Sequence, residues 1–273
     1  MTPPYRLLAL DLDGTLLDRR LEFSPAVRSA VAAALDAGVQ VTVATGRMVR
    51  TTRPLAAELK LGLPLICYQG AHMQAADGMV LHHTPVAPQY AAEVVQAALE
   101  HDLYIQAYID DELWIQSRRP ELDIYLSFST VPIPVNVVPD LAAMVRESAP
   151  TKLLWIAEPP LLERALSEWS ARWAGKLSIF RSHDMFGEAA APDSSKGVAL
   201  AALAAHLGIP REQVAAIGDR QNDAPMLAWA GLGLAMGDAD EYARAAADHL
   251  LPPFEQDGAA WGIRHWILGE AAE

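Results

Sequence analysis

Asp11 and Asp13 stand one residue apart directly behind the apolar run 7–10, and Gly14 and Thr15 follow them. Four apolar residues ending abruptly in two acids read as a short buried strand with carboxylates at its tip. Two like charges so close both stay ionised only beside a cation or strong hydrogen-bond donors. The best known chemistry of such a pair makes one Asp a nucleophile and the other a proton carrier, both held on a magnesium ion.

Further groups able to do chemistry recur behind other apolar runs. Thr45-Gly46-Arg47 follows the alternating Val39, Val41 and Val43, and Gly218-Asp219 follows the run 214–217, with Asn222 and Asp223 just beyond. Lys196 begins a helical pattern capped by Ser194 or Ser195. Singly, Thr45-Gly46 and Gly218-Asp219 read equally well as strand-to-helix turns, Lys196 as a surface lysine, and Asp223 as an acid in a first helical turn. Arg47, Arg50 and Arg53 recur at helical spacing and read as a solvated face, with Arg47 alone of the three near the pocket. The eight histidines show no metal-ligand spacing.

The elements that must position these groups follow from periodicity. Ser24-Pro25 opens a helix on which Val27, Val31 and Leu35 share a face, and Gly38 closes it. A strand, a second helix to about Lys60 and a strand over 63–68 come next. Strands alternating with helices predict a parallel sheet with crossover helices. Near His82 the pattern changes: a hairpin over 103–117 turns at Asp110-Asp111, and helices and strands with four tryptophans (Trp114, Trp155, Trp169, Trp173) run on to about 181. These aromatics read as core before substrate platform. The alternating pattern returns near Asp193, with strands expected over 214–217, 232–236 and 249–251.

The expected fold is therefore α/β. A Rossmann-like parallel sheet core with helices on both faces comprises residues 1–82 and 189–273, and a separate α+β unit is inserted over 83–188. In open sheets of this kind ligands bind beyond the carboxyl ends of the strands, where the acids, Thr45 and Asp219 all lie. Carboxylates gathered there demand positive charge. Lys196 supplies one unit, and magnesium, a hard cation suited to oxygen ligands, is the natural second.

The segments Asp11-Leu12-Asp13-Gly14-Thr15-Leu16, Ala44-Thr45-Gly46-Arg47, Ser195-Lys196-Gly197 and Gly218-Asp219-Arg220-Gln221-Asn222-Asp223 occur in an order and spacing that resembles a family. The chain is similar to haloacid dehalogenase superfamily phosphatases, most of all the Cof-type group with a large B-type cap. Asp257-Gly258 resembles that group's ending. The resemblance implies that Asp11 attacks phosphorus to form an aspartyl-phosphate and that Asp13 protonates the leaving alcohol, then takes a proton from water. It implies that Thr45, Gly46, Lys196 and Asn222 bind the phosphoryl group. Magnesium would be bound by Asp11, by the Asp13 carbonyl, by Asp219, and by Asp223 directly or through waters; Asp223 could instead position Lys196. The implied cap closes over the site and chooses a small phosphorylated metabolite, a sugar phosphate or a cofactor such as flavin mononucleotide or pyridoxal phosphate. Gln69-Gly70 departs from a usual Asn-Gly, Asp193 stands at a common glycine, and Gly237-Asp238 replaces a usual Gly-Asn. Two other readings share these residues: a phosphomutase or phosphotransferase, and a catalytically idle phosphate-binding regulator.

Composition sets the remaining bounds. With 273 residues, 52% of them hydrophobic, the chain can fill a core and a smaller domain. A formal net charge of −13 disfavours nucleic acid and anionic membranes as partners. The single Cys67 forms no internal disulfide, and it sits among apolar neighbours. Residues 1–6 carry no signal-peptide pattern, and no uncharged apolar run approaches the ~20 residues of a membrane span. A cytoplasmic enzyme is expected; the sequence is silent on oligomeric state.

Overall fold

The computed structural model describes residues 3–271. Met1, with which the expected leaderless N-terminus begins, lies outside the described residues. The chain divides into two compact units, His83–Ser194 and the pair of segments that flank it.

The flanking segments open with β1 (Leu7–Leu10), α1 (Pro25–Asp36), β2 (Gln40–Val43), α2 (Val49–Glu58), β3 (Leu65–Cys67), β4 (His72–Gln74) and β5 (Val80–His83). The inserted unit carries α3 (Pro88–Glu100), β6 (Tyr104–Ile109), β7 (Glu112–Ile115), α4 (Pro120–Leu126), β8 (Val135–Val137), α5 (Leu141–Glu147), β9 (Lys152–Ile156), α6 (Pro159–Arg172), β10 (Ser178–His183) and β11 (Phe186–Ala190). The chain then resumes with α7 (Lys196–His206), β12 (Val214–Gly218), α8 (Ala224–Trp229), β13 (Leu232–Ala235), α9 (Glu241–Ala246), β14 (His249–Leu250) and α10 (Gly258–Gly262).

In the flanking segments β14-β13-β12-β1-β2 form one parallel sheet. All of Leu7–Leu10 is inaccessible to solvent, as expected of a central strand covered on both faces. The chain leaves β1 toward β2 and leaves β12 the other way, toward β13. Right-handed crossovers then put α1 and α8 on opposite faces, and β1 and β12 flank the switch point. Among the described residues the expected third strand joins this sheet by one bridge, Ala44 with Ile66, and otherwise ladders antiparallel with β4. The reason is local: immediately after Cys67 the backbone turns through left-handed conformations and cannot continue the ladder.

In the inserted unit six strands take the order β10-β11-β9-β6-β7-β8. Helices α3, α5 and α6 pack Ala91, Val95, Leu141, Leu162 and Trp169 against Ile105, Leu153 and Trp155 of the sheet. All four tryptophans belong to this core or pack against it. The turn at Asp110-Asp111 takes two consecutive positive φ values, 52° and 60°, as a two-residue hairpin loop requires. The unit ends at Ser194 rather than at 188, because β11, absent from the expected elements, pairs with both β9 and β10. On β9 and β11, Lys152 and Glu188 form a buried ion pair at 3.0 Å. Among the described residues no helix is long and apolar enough to cross a membrane.

Candidate active site

Strand β1 delivers Asp11 and β12 delivers Asp219 at adjacent carboxyl ends, since Leu10 pairs with Ile217. Asp223 stands one turn after Asp219, at the start of α8. Carboxylate oxygens of Asp11, Asp219 and Asp223 lie within 4.8 Å of one another, and all three residues are buried. Ser195 caps α7 by accepting the Val198 N–H, which places Lys196 as the first helical residue. Its ammonium is wholly buried and donates to Asp11 Oδ1 and Asp223 Oδ1, each at 2.5 Å.

One ammonium does not balance three carboxylates. Burial, and then the charge of Asp223, hold Asp11 well above the usual carboxylate range. The same causes push Asp219 up to about 7, with the Thr15 hydroxyl bond (Oγ1 to Oδ1, 3.0 Å) pulling the other way. Burial would lower the proton affinity of Lys196, but its contacts with Asp11 and Asp223 outweigh that and hold it above its ordinary value. A cluster with excess negative charge and hard oxygen donors fits a divalent cation such as magnesium. Asp223 is also committed elsewhere: its Oδ2 accepts the N–H groups of Asp219 (2.9 Å) and Arg220 (3.0 Å), closing the loop onto itself. Gly14, at φ +85°, lets the backbone pass close by; a Cβ there would lie 2.5 Å from Asp219 Oδ2.

The Asp13 carboxylate is not part of this cluster. It is half exposed and gripped on both oxygens by Arg47, through Nε (2.7 Å) and Nη2 (2.5 Å). Thr45 is buried two residues past the end of β2, whose Val43 pairs with Leu10 of β1, and its N–H bonds Ile66 O of β3 at 2.9 Å. Its hydroxyl accepts the Arg47 N–H at 3.2 Å. Asn222 donates from Nδ2 to Gln69 Oε1 at 2.9 Å. Asp238 is exposed and accepts the Phe254 N–H, and Asp193 is exposed in the inserted unit.

Sequence reasoning gave no role to Thr15 and Asp240, and it placed Arg47 near the pocket but gave it no partner. Asp240 accepts the N–H groups of Gln221 (2.7 Å) and Ala243 (2.9 Å) and donates its own to Asp219 O (2.9 Å), so it ties the acidic loop to α9. Thr15 and Arg47 sit inside the motifs and were findable there. Asp240 carries only the local signal of an N-cap.

A family model described as haloacid dehalogenase-like hydrolase matches residues 8–263. The Bacillus subtilis (strain 168) 5-amino-6-(5-phospho-D-ribitylamino)uracil phosphatase YcsE is 30% identical over 269 residues, covering 96% of this chain and 96% of that protein. The Escherichia coli (strain K12) pyridoxal phosphate phosphatase YbhA is 30% identical over 283 residues, covering 96% and 99%. An X-ray crystal structure from Thermotoga maritima has a TM-score of 0.82 at 29% identity, over 96% of this chain and 97% of that one.

Proposed function

Because the chain belongs to the haloacid dehalogenase-like hydrolases and is a hydrolase of phosphate monoesters, we propose that it is a magnesium-dependent phosphatase of one small organic phosphate. The observation that carries this reading is the buried Lys196 ammonium shared between Asp11 and Asp223, with Asp219 alongside. Phosphoryl transfer needs alignment and charge stabilisation more than covalent ingenuity, and this cluster supplies both.

Asp11 attacks phosphorus, the ester P–O bond breaks, and an aspartyl-phosphate forms. Asp13 gives its proton to the departing alcohol oxygen. It then takes one from the water that attacks the aspartyl-phosphate, so that inorganic phosphate leaves and Asp11 is restored. Arg47 holds the Asp13 side chain that must carry the proton. Thr45, the Gly46 amide, Lys196 and Asn222 bind the phosphoryl oxygens. Asp11, the Asp13 carbonyl and Asp219 hold the magnesium, with Asp223 fixing the loop and Lys196. When bound, the ion neutralises charge on the carboxylates and on the phosphoryl group.

The inserted unit selects the leaving group. Two relatives are named for phosphates of small nitrogen-containing ring compounds, so a phosphorylated cofactor or its precursor is the favoured substrate class, with sugar phosphates next. A net charge of −13 favours small esters over polyanions. The test is a screen of small phosphate esters with magnesium in isotopically labelled water, with Asp11→Asn as control. Labelled inorganic phosphate from the wild type and none from the variant is the expected result. Phosphate returned to the substrate instead would identify a mutase, and full activity of Asp11→Asn would remove Asp11 as nucleophile.

A further inference from the structure

Gln69 has no part in the roles given above, yet the chain is contorted to present it. After Cys67 come three successive residues with positive φ: Tyr68 at 52°, Gln69 at 58° and Gly70 at 94°. Bulky residues are uncommon in that region and persist where surrounding structure imposes them. Here the restraints are explicit. Tyr68 N–H donates to Arg47 O (3.1 Å) and Gln69 N–H donates to Thr45 O (3.0 Å). Gly70 passes so near α7 that a Cβ would overlap the Ser195 carbonyl. One turn thus touches the Thr45–Arg47 segment, the start of α7 and, through a side chain, Asn222.

The side chain completes the argument. Gln69 is 5% exposed, and its Oε1 accepts from Asn222 Nδ2 at 2.9 Å. With the oxygen so committed, Nε2 lies against Gly46, where a Cβ would overlap it. Among the described residues no protein acceptor takes the Nε2 hydrogens. A carboxamide can accept from Asn222 with its oxygen and still offer two N–H donors beside Thr45–Gly46.

We propose that Gln69 is a phosphate-binding residue: its Nε2 donates to the anion seated at Thr45–Gly46 while its Oε1 holds Asn222 in line, so the two carboxamides act as one clamp. This rests on the phosphatase reading for its ligand, but its test does not need turnover.

Inorganic phosphate binding, in the presence of magnesium, is measured by calorimetry on the full chain for wild type, Gln69→Glu, Gln69→Leu, Asn222→Ala and the Gln69→Leu/Asn222→Ala double variant. Gln69→Glu keeps the acceptor for Asn222 but replaces the donor with a charge that repels phosphate. It should weaken phosphate binding by about tenfold or more and raise KM more than it lowers kcat. Gln69→Leu and Asn222→Ala should combine less than additively, as partners in one clamp do. Gln69→Asn, an amide at home in the left-handed region, guards against misfolding: it should retain Tm and bind phosphate between wild type and Gln69→Leu. Wild-type phosphate affinity in Gln69→Glu, strictly additive losses in the double variant, or losses that merely track Tm would each overturn the proposal. A protein that binds phosphate through Gln69 but hydrolyses no ester would instead sink the phosphatase reading and leave this one standing.

Discussion

Replacing Lys196 by methionine keeps the length of the side chain and deletes its charge. The ammonium is fully buried, and each of its bonds to Asp11 and Asp223 measures 2.5 Å. At an effective dielectric near 20, unit charges about 4 Å apart attract by about 4 kcal/mol. Removing one member of a buried pair typically costs about 3–5 kcal/mol, because the partner charges stay buried without compensation. For a chain of this size that is a fall in Tm on the order of 10 °C. The loss has a pH signature. Lys196 is held above its ordinary value, so it stays charged at every pH below the unfolded lysine range and its own titration adds no pH dependence between pH 5.5 and 8. Asp219, by contrast, is raised from 3.8 to about 7. Its ionisation costs the folded state as pH climbs from its unfolded value through the folded one. In Lys196→Met, acidification to pH 5.5 lets that carboxylate take a proton and narrows the deficit. Scanning calorimetry in EDTA at both pH values reads this directly, and saturating magnesium at pH 8 should recover part of the loss. Turnover should fall by about 10²–10³. A variant as stable as wild type in EDTA at pH 8, or a deficit of equal size at pH 5.5, would refute the charge argument.

Asp13→Asn should slow turnover by about 10²–10⁴ with alkyl phosphates and far less with a nitrophenyl ester, whose leaving group needs no proton; equal losses on both in steady-state assays would deny Asp13 the proton. Asp219→Asn should raise the Tm of the protein in EDTA at pH 8 and have little effect at pH 5.5, since the group it removes is pushed up to about 7. It should also abolish the stabilisation by magnesium, and a magnesium shift as large as wild type would exclude Asp219 as a ligand. In the inserted unit, Glu188→Gln should cost about 3–5 kcal/mol in urea unfolding by removing the negative charge that faces the buried Lys152 ammonium, and Lys152→Met/Glu188→Leu should regain most of it; a single variant of wild-type stability contradicts the buried pair.

The acidic strand tips, the capped start of α7 and the alternation of strand and helix were legible because each is a short-range signal. Period, cap and glycine act over one turn or one strand. Strand β11 was not legible. Its Phe-Gly-Glu-Ala-Ala run has no alternation, and a glutamate in its middle argues for solvent until Lys152, 36 residues away, is brought against it. Gln69 carried a signal only as an odd residue at a familiar place. Its partner Asn222 lies 153 residues along the chain, and nothing local announces that pairing.

Residue order along the chain was enough to say which groups end strands, where helices start, and therefore which side chains gather at one edge of a sheet. It could not say how they divide their bonds there. Only Leu12 separates Asp13 from Asp11, yet one is half exposed on Arg47 and the other is buried on Lys196. That division follows from the register of β1 with β2 and β12, because Coulomb energy and desolvation depend on distances through space that only the packed chain defines.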